Sequence, residues 1–113
     1  IMKFFIYLSI MTCLLTGAEA VKEPGYVEGK VENGNGSGVS DVNIYLDESG
    51  AKLGTSSWRG YFTLEFMLDK GELRYYQVTF RKDGYKELKT TVNAEAGTTK
   101  IYENPFLMPE LED

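Results

Sequence analysis

The chain is expected to fold as an all-β, antiparallel Greek-key sandwich of about seven strands, placed behind an N-terminal export signal. Three observations lead there. Apolar and polar residues alternate with a period of two through several segments, the pattern of strands with one dry and one wet face. Turn-forming residues recur at 33–38, 48–50, 56–60, 69–71, 83–84 and 93–97, which divides the chain into short strands. No segment beyond residue 20 sustains a helical period.

The chain begins with Lys3, an apolar run over 4–15, and then Gly17-Ala18-Glu19-Ala20, which has the layout of a secretory signal with a small-residue cleavage site. The run is shorter than the ~20 residues needed to cross a bilayer, so cleavage after Ala20 is expected and the product is exported to the periplasm, the cell surface or the medium. Cys13 is the one cysteine. Membrane attachment is expected only if Cys13 carries a lipid, and Ile10-Met11-Thr12 lacks the small residue favoured just before a lipidated cysteine. A chain cut after Ala20 has no cysteine, so packing rather than disulfides has to stabilise it. Charge excludes one class of partner. Lys and Arg total 12 against 17 Asp and Glu, with no basic cluster, so nucleic acid is not an expected ligand.

Residues 21–24 read as a short polar leader and 25–108 as the sandwich. In the first strand, Gly25 to Glu32, one side is shared by Val27, Gly29 and Val31. Asn33-Gly34-Asn35-Gly36-Ser37-Gly38 then breaks regular structure and must be a surface loop; Asn35-Gly36-Ser37 fits the N-glycosylation pattern, relevant in a eukaryotic host. Asp41 to Asp47 is a second strand, Val42, Ile44 and Leu46 inward and Asn43, Tyr45 and Asp47 outward. Glu48-Ser49-Gly50 turns the chain into a short strand at Ala51 to Thr55. The turn Ser56 to Gly60 feeds a strand with Phe62, Leu64 and Phe66 inward and Tyr61, Thr63 and Glu65 outward.

Leu73 to Lys82 follows, with Tyr76, Val78 and Phe80 inward. Asp83-Gly84 is a two-residue hairpin signal, because both central positions of a type I′ turn need positive φ, so Tyr85 to Val92 should return antiparallel. Tyr85 and Leu88 have opposite parity, which requires either a bulge or a strand with one packed end. A last strand runs from Thr98 through Ile101 toward Leu107, Pro105 confining its end to a sheet edge or bulge. Residues 109–113 form an acidic tail expected to fray.

The order of these motifs resembles the carboxypeptidase regulatory-like domain, a prealbumin-type (transthyretin-like) family. Its V-x-G-x-V opening is matched by Val27-Glu28-Gly29-Lys30-Val31, and its V-x-V-x-L strand by Val42-Asn43-Ile44-Tyr45-Leu46. The T-D-x-x-G-x-F motif corresponds to Ser56-Ser57-Trp58-Arg59-Gly60-Tyr61-Phe62, the V-x-F strand to Val78-Thr79-Phe80, and the G-Y pair to Gly84-Tyr85. Ser57 replaces the family's usual aspartate, and Asp41 its small residue ahead of the second strand. The resemblance implies a seven-stranded sandwich and a non-catalytic, exported module.

Side-chain chemistry points the same way. The chain has no histidine, so histidine-dependent triads, Cys-His pairs and histidine metal sites are excluded. Hydroxyisourate hydrolases of the transthyretin-like type, which rely on histidines and a C-terminal Tyr-Arg-Gly-Ser, are excluded with them. Ser49-Gly50-Ala51-Lys52 matches S-x-x-K but reads as a hairpin turn, not a nucleophile at a helix start. Asp41, Asp47, Glu48, Asp69 and Asp83 read as solvated turn carboxylates, since no EF-hand spacing links them. A Lys30–Asn104 isopeptide bond would need a buried lysine, whereas parity turns Lys30 outward. No metal or cofactor is expected.

Five residues remain as candidate binding groups: Trp58 and Arg59 in the turn, and Tyr61, Tyr45 and Tyr75, outward by parity. They support two readings. One is a structural or protein-interaction module that engages another envelope or extracellular protein. The other is a carbohydrate-binding module whose exposed aromatics stack on a glycan, a platform that exists only if the tyrosine strands share a sheet.

Overall fold

The computed structural model describes residues 21–112; the expected signal, its cleavage after Ala20 and Cys13 lie outside the described residues. Within them the regular elements are eight strands: β1 Lys22–Glu32, β2 Asn43–Leu46, β3 Lys52–Thr55, β4 Tyr61–Asp69, β5 Leu73–Arg81, β6 Leu88–Glu95, β7 Thr99–Ile101 and β8 Phe106–Leu107. They form two four-stranded sheets, one in the order β4-β1-β7 with β8 also on β1, the other β3-β2-β5-β6. The protein is an all-β sandwich. β3 meets β4 at the edge where the sheets adjoin, so β5, β2, β3 and β4 stand in Greek-key order.

The alternation read from sequence decides which side chains are dry. β4 alternates exposed and buried along its whole length, and Phe62, Leu64, Phe66 and Leu68 enter the core. Val27, Val31, Val42, Ile44, Tyr76, Val78 and Phe80 join them as expected, while Leu46, the last residue of β2, is only half-buried. Phe62, Phe80 and Phe106 form an aromatic cluster with centroids 5.2 to 5.6 Å apart, and Phe66 stacks on Tyr76 at 4.1 Å. Val39, Val92, Ala94, Ala96 and Met108 complete the core.

Several boundaries differ from expectation, each for a physical reason. The leader is part of β1, since Lys22, Glu23 and Pro24 pair with Asp69, Leu68 and Met67. Pro24 is tolerated because the ladder toward β7 starts only at the Tyr26 N–H, which donates to Thr98 O at 2.9 Å; no donor is missed. β6 runs on to Glu95, and the turn that follows carries Gly97 at φ 78°.

Asp83-Gly84 does turn the chain, but not as a type I′ hairpin. Gly84 alone of the pair has positive φ, 88°, and the β5–β6 ladder closes only at Phe80 and Leu88. Tyr85 is drawn off instead to bridge Glu110, while the Lys86 N–H donates to Pro109 O and the Leu111 N–H to Gly84 O, both at 2.9 Å. This resolves the parity conflict, because Tyr85 lies outside β6 and Leu88 opens it. It also means that the tail is held through Leu111 rather than frayed.

The last strand is two strands, and both run parallel to β1, not antiparallel. Chain arriving from β6 at the Gly97 turn enters at the end where β1 begins and so travels in the same direction. Between the pairs Glu28–Ile101 and Val31–Phe106, three steps along β1 match five along its partner. The surplus bulges out around Glu103-Asn104-Pro105, leaving Gly29 and Lys30 unpaired on that side of β1.

Candidate functional site

The Trp58 turn is fixed from below. The buried Ser56 hydroxyl donates to Val39 O at 2.7 Å and accepts the Val42 N–H at 2.9 Å, tying the turn to the chain ahead of β2. Above it, the Ser57 N–H donates to Tyr61 O at 2.7 Å and the Gly60 N–H to Ser57 O at 2.8 Å. Gly60 sits at φ 90°, and a Cβ there would run into the Val31 carbonyl; one at Gly38 would overlap the Arg59 carbonyl. Glycine at both places lets β1, the 33–38 loop and the turn close on one another at backbone distance.

The side chains on this clamped backbone point away from it. Trp58 is 75% exposed, and the Arg59 guanidinium lies 4.4 Å from its ring centroid. Such stacking stabilises an exposed pair by roughly 0.5–1 kcal/mol, enough to bias both rotamers. Tyr61 opens β4 beside the turn, with the Lys30 ammonium 5.3 Å from its ring. The fold therefore brings Trp58, Arg59 and Tyr61 together.

Tyr45 and Tyr75 lie elsewhere, on the outer face of the opposite sheet. Tyr45 pairs with Thr79, so Tyr75 stands four residues further along β5, about 13 Å away. Tyr45 has the Arg81 guanidinium 5.4 Å from its ring. The outward tyrosines thus do not make one stacking platform. Parity assigns a residue to a face, but which sheet owns the strand depends on long-range pairing.

The outer face of β4-β1-β7 carries features that the sequence reading passed over. Nine large apolar side chains are exposed among the described residues, and four of them, Tyr61, Met67, Ile101 and Leu107, belong to this face. A shallow depression of about 480 Å³ crosses it, lined by Glu28, Lys30, Tyr61, Thr63, Ile101 and Glu103 among others. The bulge creates it, since β1 has no paired neighbour at Gly29 and Lys30 on the side away from β4. Met67 was legible as the continuation of the Tyr61-Thr63-Glu65 parity. Ile101 and Leu107 were not, because the register that turns them outward is set by parallel pairing with β1.

The remaining groups considered from sequence have ordinary roles. Lys30 is outward and pairs with Glu32 at 3.2 Å, while Asn104 is exposed in the bulge. Asp47 accepts the Thr79 hydroxyl and Asp69 pairs with Lys22. Asp41 and Asp83 sit beside Arg81 and Lys82, at the end of β5 far from Asp69. Among the described residues no three His, Cys, Asp or Glu side chains are grouped to hold a metal ion. Ser49 accepts the Ala51 N–H at 3.2 Å within its turn.

Fold and surface together define a two-sheet β-sandwich with one face left apolar and acidic. Compared with known proteins, the chain matches no family model and no curated sequence.

Proposed function

We propose that the chain is an exported, non-catalytic β-sandwich module of the carboxypeptidase regulatory-like type, whose work is to hold another envelope or extracellular protein. One observation carries the interaction reading: exposed apolar side chains gather on the β4-β1-β7 face, next to a rigid turn that displays Trp58 and Arg59. Protein interfaces concentrate their affinity in aromatic and arginine anchors of this kind, and an ordered backbone lowers the entropy lost on binding. The family assignment draws its support from the motif order along β1, β2, β4 and β5.

The test is capture from an envelope extract on the immobilised chain. Wild type should retain a discrete partner, and Trp58→Ala and Tyr61→Ala should each release it while unfolding at the wild-type urea midpoint. Retention by both variants equal to wild type would reject this surface.

Glycan binding is the second reading, favoured by Tyr61 lying beside polar groups in the depression. It now involves Trp58, Arg59 and Tyr61 without Tyr45 and Tyr75. A glycan array on which wild type binds nothing, or binds no better than Trp58→Ala, removes it.

A further inference from the structure

We infer that the partner seated on the β4-β1-β7 face presents a basic, extended segment whose lysine or arginine side chains lie on that face. The inference rests on the interaction reading and adds the chemistry of the partner. Outward positions of β4 and β1 and of the bulge place Glu28, Glu32, Glu65 and Glu103 on this face against Lys30 alone, apart from the mutually paired Lys22 and Asp69. Lys30 is engaged by Glu32 at 3.2 Å, and Glu65 accepts the Tyr26 hydroxyl at 3.0 Å. Glu28 and Glu103, which flank the depression, make no ion pair among the described residues. Of the neighbouring cations, Lys100 on β7 has its ammonium 5.3 Å from the Tyr102 ring, and Arg59 in the adjoining turn stacks on Trp58.

The other sheet provides the contrast. On its outer face Lys52, Arg81 and Lys89 are balanced by Asp47, Glu87 and Glu95, with Glu87 bridging Arg81 and Lys89. That face is balanced in charge and exposes two large apolar side chains, Leu73 and Tyr75; the β4-β1-β7 face combines negative charge with four. A lysine or arginine fits the depression as a unit. Its aliphatic stem lies along Ile101 and the Tyr61 ring, and its charged head reaches Glu28 and Glu103. Tyr61 already has one ammonium within cation–π range, that of Lys30. An extended segment would place alternate side chains on the face, the rest pointing to solvent.

The experiment is titration of the isotope-labelled chain with a ten-residue peptide of alternating lysine and alanine, and separately with its glutamate–alanine counterpart, followed by amide chemical shifts. The lysine peptide should shift residues of β4, β1 and β7, and the glutamate peptide none. Affinity should fall about fivefold or more in Glu28→Gln/Glu103→Gln, and fall again between low and high salt. Glu95→Gln, on the other sheet, should bind as wild type does. Failure of the lysine peptide to bind, shifts confined to β2 and β5, or affinity unchanged in the double variant would overturn the inference. Envelope capture that survives in Glu28→Gln/Glu103→Gln would separate that failure from failure of the interaction reading, which capture lost at Trp58 supports independently.

Discussion

One buried hydroxyl decides whether the Trp58 turn stands where it does. Ser56 bonds to both Val39 O and the Val42 N–H, so Ser56→Ala leaves two buried backbone groups unpaired and should cost about 1–3 kcal/mol, read from urea unfolding. Ser57→Ala, one residue on and exposed, should stay within about 0.5 kcal/mol. Protons matter at the alkaline end of the scale. Tyr26 holds its proton above the usual range because its hydroxyl donates to Glu65, Lys22 because it donates to Asp69, and Tyr76 because burial disfavours its phenolate. In each case the folded pKa lies above the unfolded one. The stabilisation is complete below the unfolded value, about 10 for these groups, and disappears as pH rises through the folded value. The urea midpoint should therefore hold from pH 7 to 9 and fall toward pH 11, by less in Tyr76→Phe.

At the scale of elements, legibility follows the contrast between the two faces of a strand. β4 and β5 could be read because one side of each faces the core and the other lies largely in water, and β2 because Val42, Ile44 and Leu46 alternate with polar or amphipathic residues. Ile44→Asp should abolish cooperative unfolding, since it buries a charge, whereas Tyr45→Asp, its neighbour on the wet face, should leave a folded protein by circular dichroism. β7 gave no such signal: all three of its residues are exposed. What places it and β8 is the parallel pairing with β1, which local sequence does not encode. Phe106 is the anchor of this edge, packed against Phe62, Phe80 and Tyr102. Phe106→Ala should cost about 3–5 kcal/mol and free the bulge that shapes the depression, with faster amide exchange at Gly29 and Lys30.

Across the whole molecule, the sequence supplied faces and the tertiary pairing supplied sheets, which is why Trp58, Arg59 and Tyr61 stayed together while Tyr45 and Tyr75 went to the far side. Met108 was not among the expected core residues for a related reason, since at the end of the last strand only the pairing with β1 brings it inward. The register of β1 with β4 also governs how the domain would bear load. Val21 lies at one end of the sandwich and the Trp58 turn at the other, separated by the length of β1, 11 residues, or about 35 Å. A pull between the N-terminus and a partner on the turn draws β1 and β4 in opposite directions from their own first residues. Nine paired positions, Lys22 to Lys30 against Asp69 to Tyr61, are then sheared together, their hydrogen bonds lying across the force, rather than peeled one at a time. Stretched between those points, single molecules should rupture at markedly higher force than when pulled from Val21 and Gly71, a geometry that unzips the same two strands from one end.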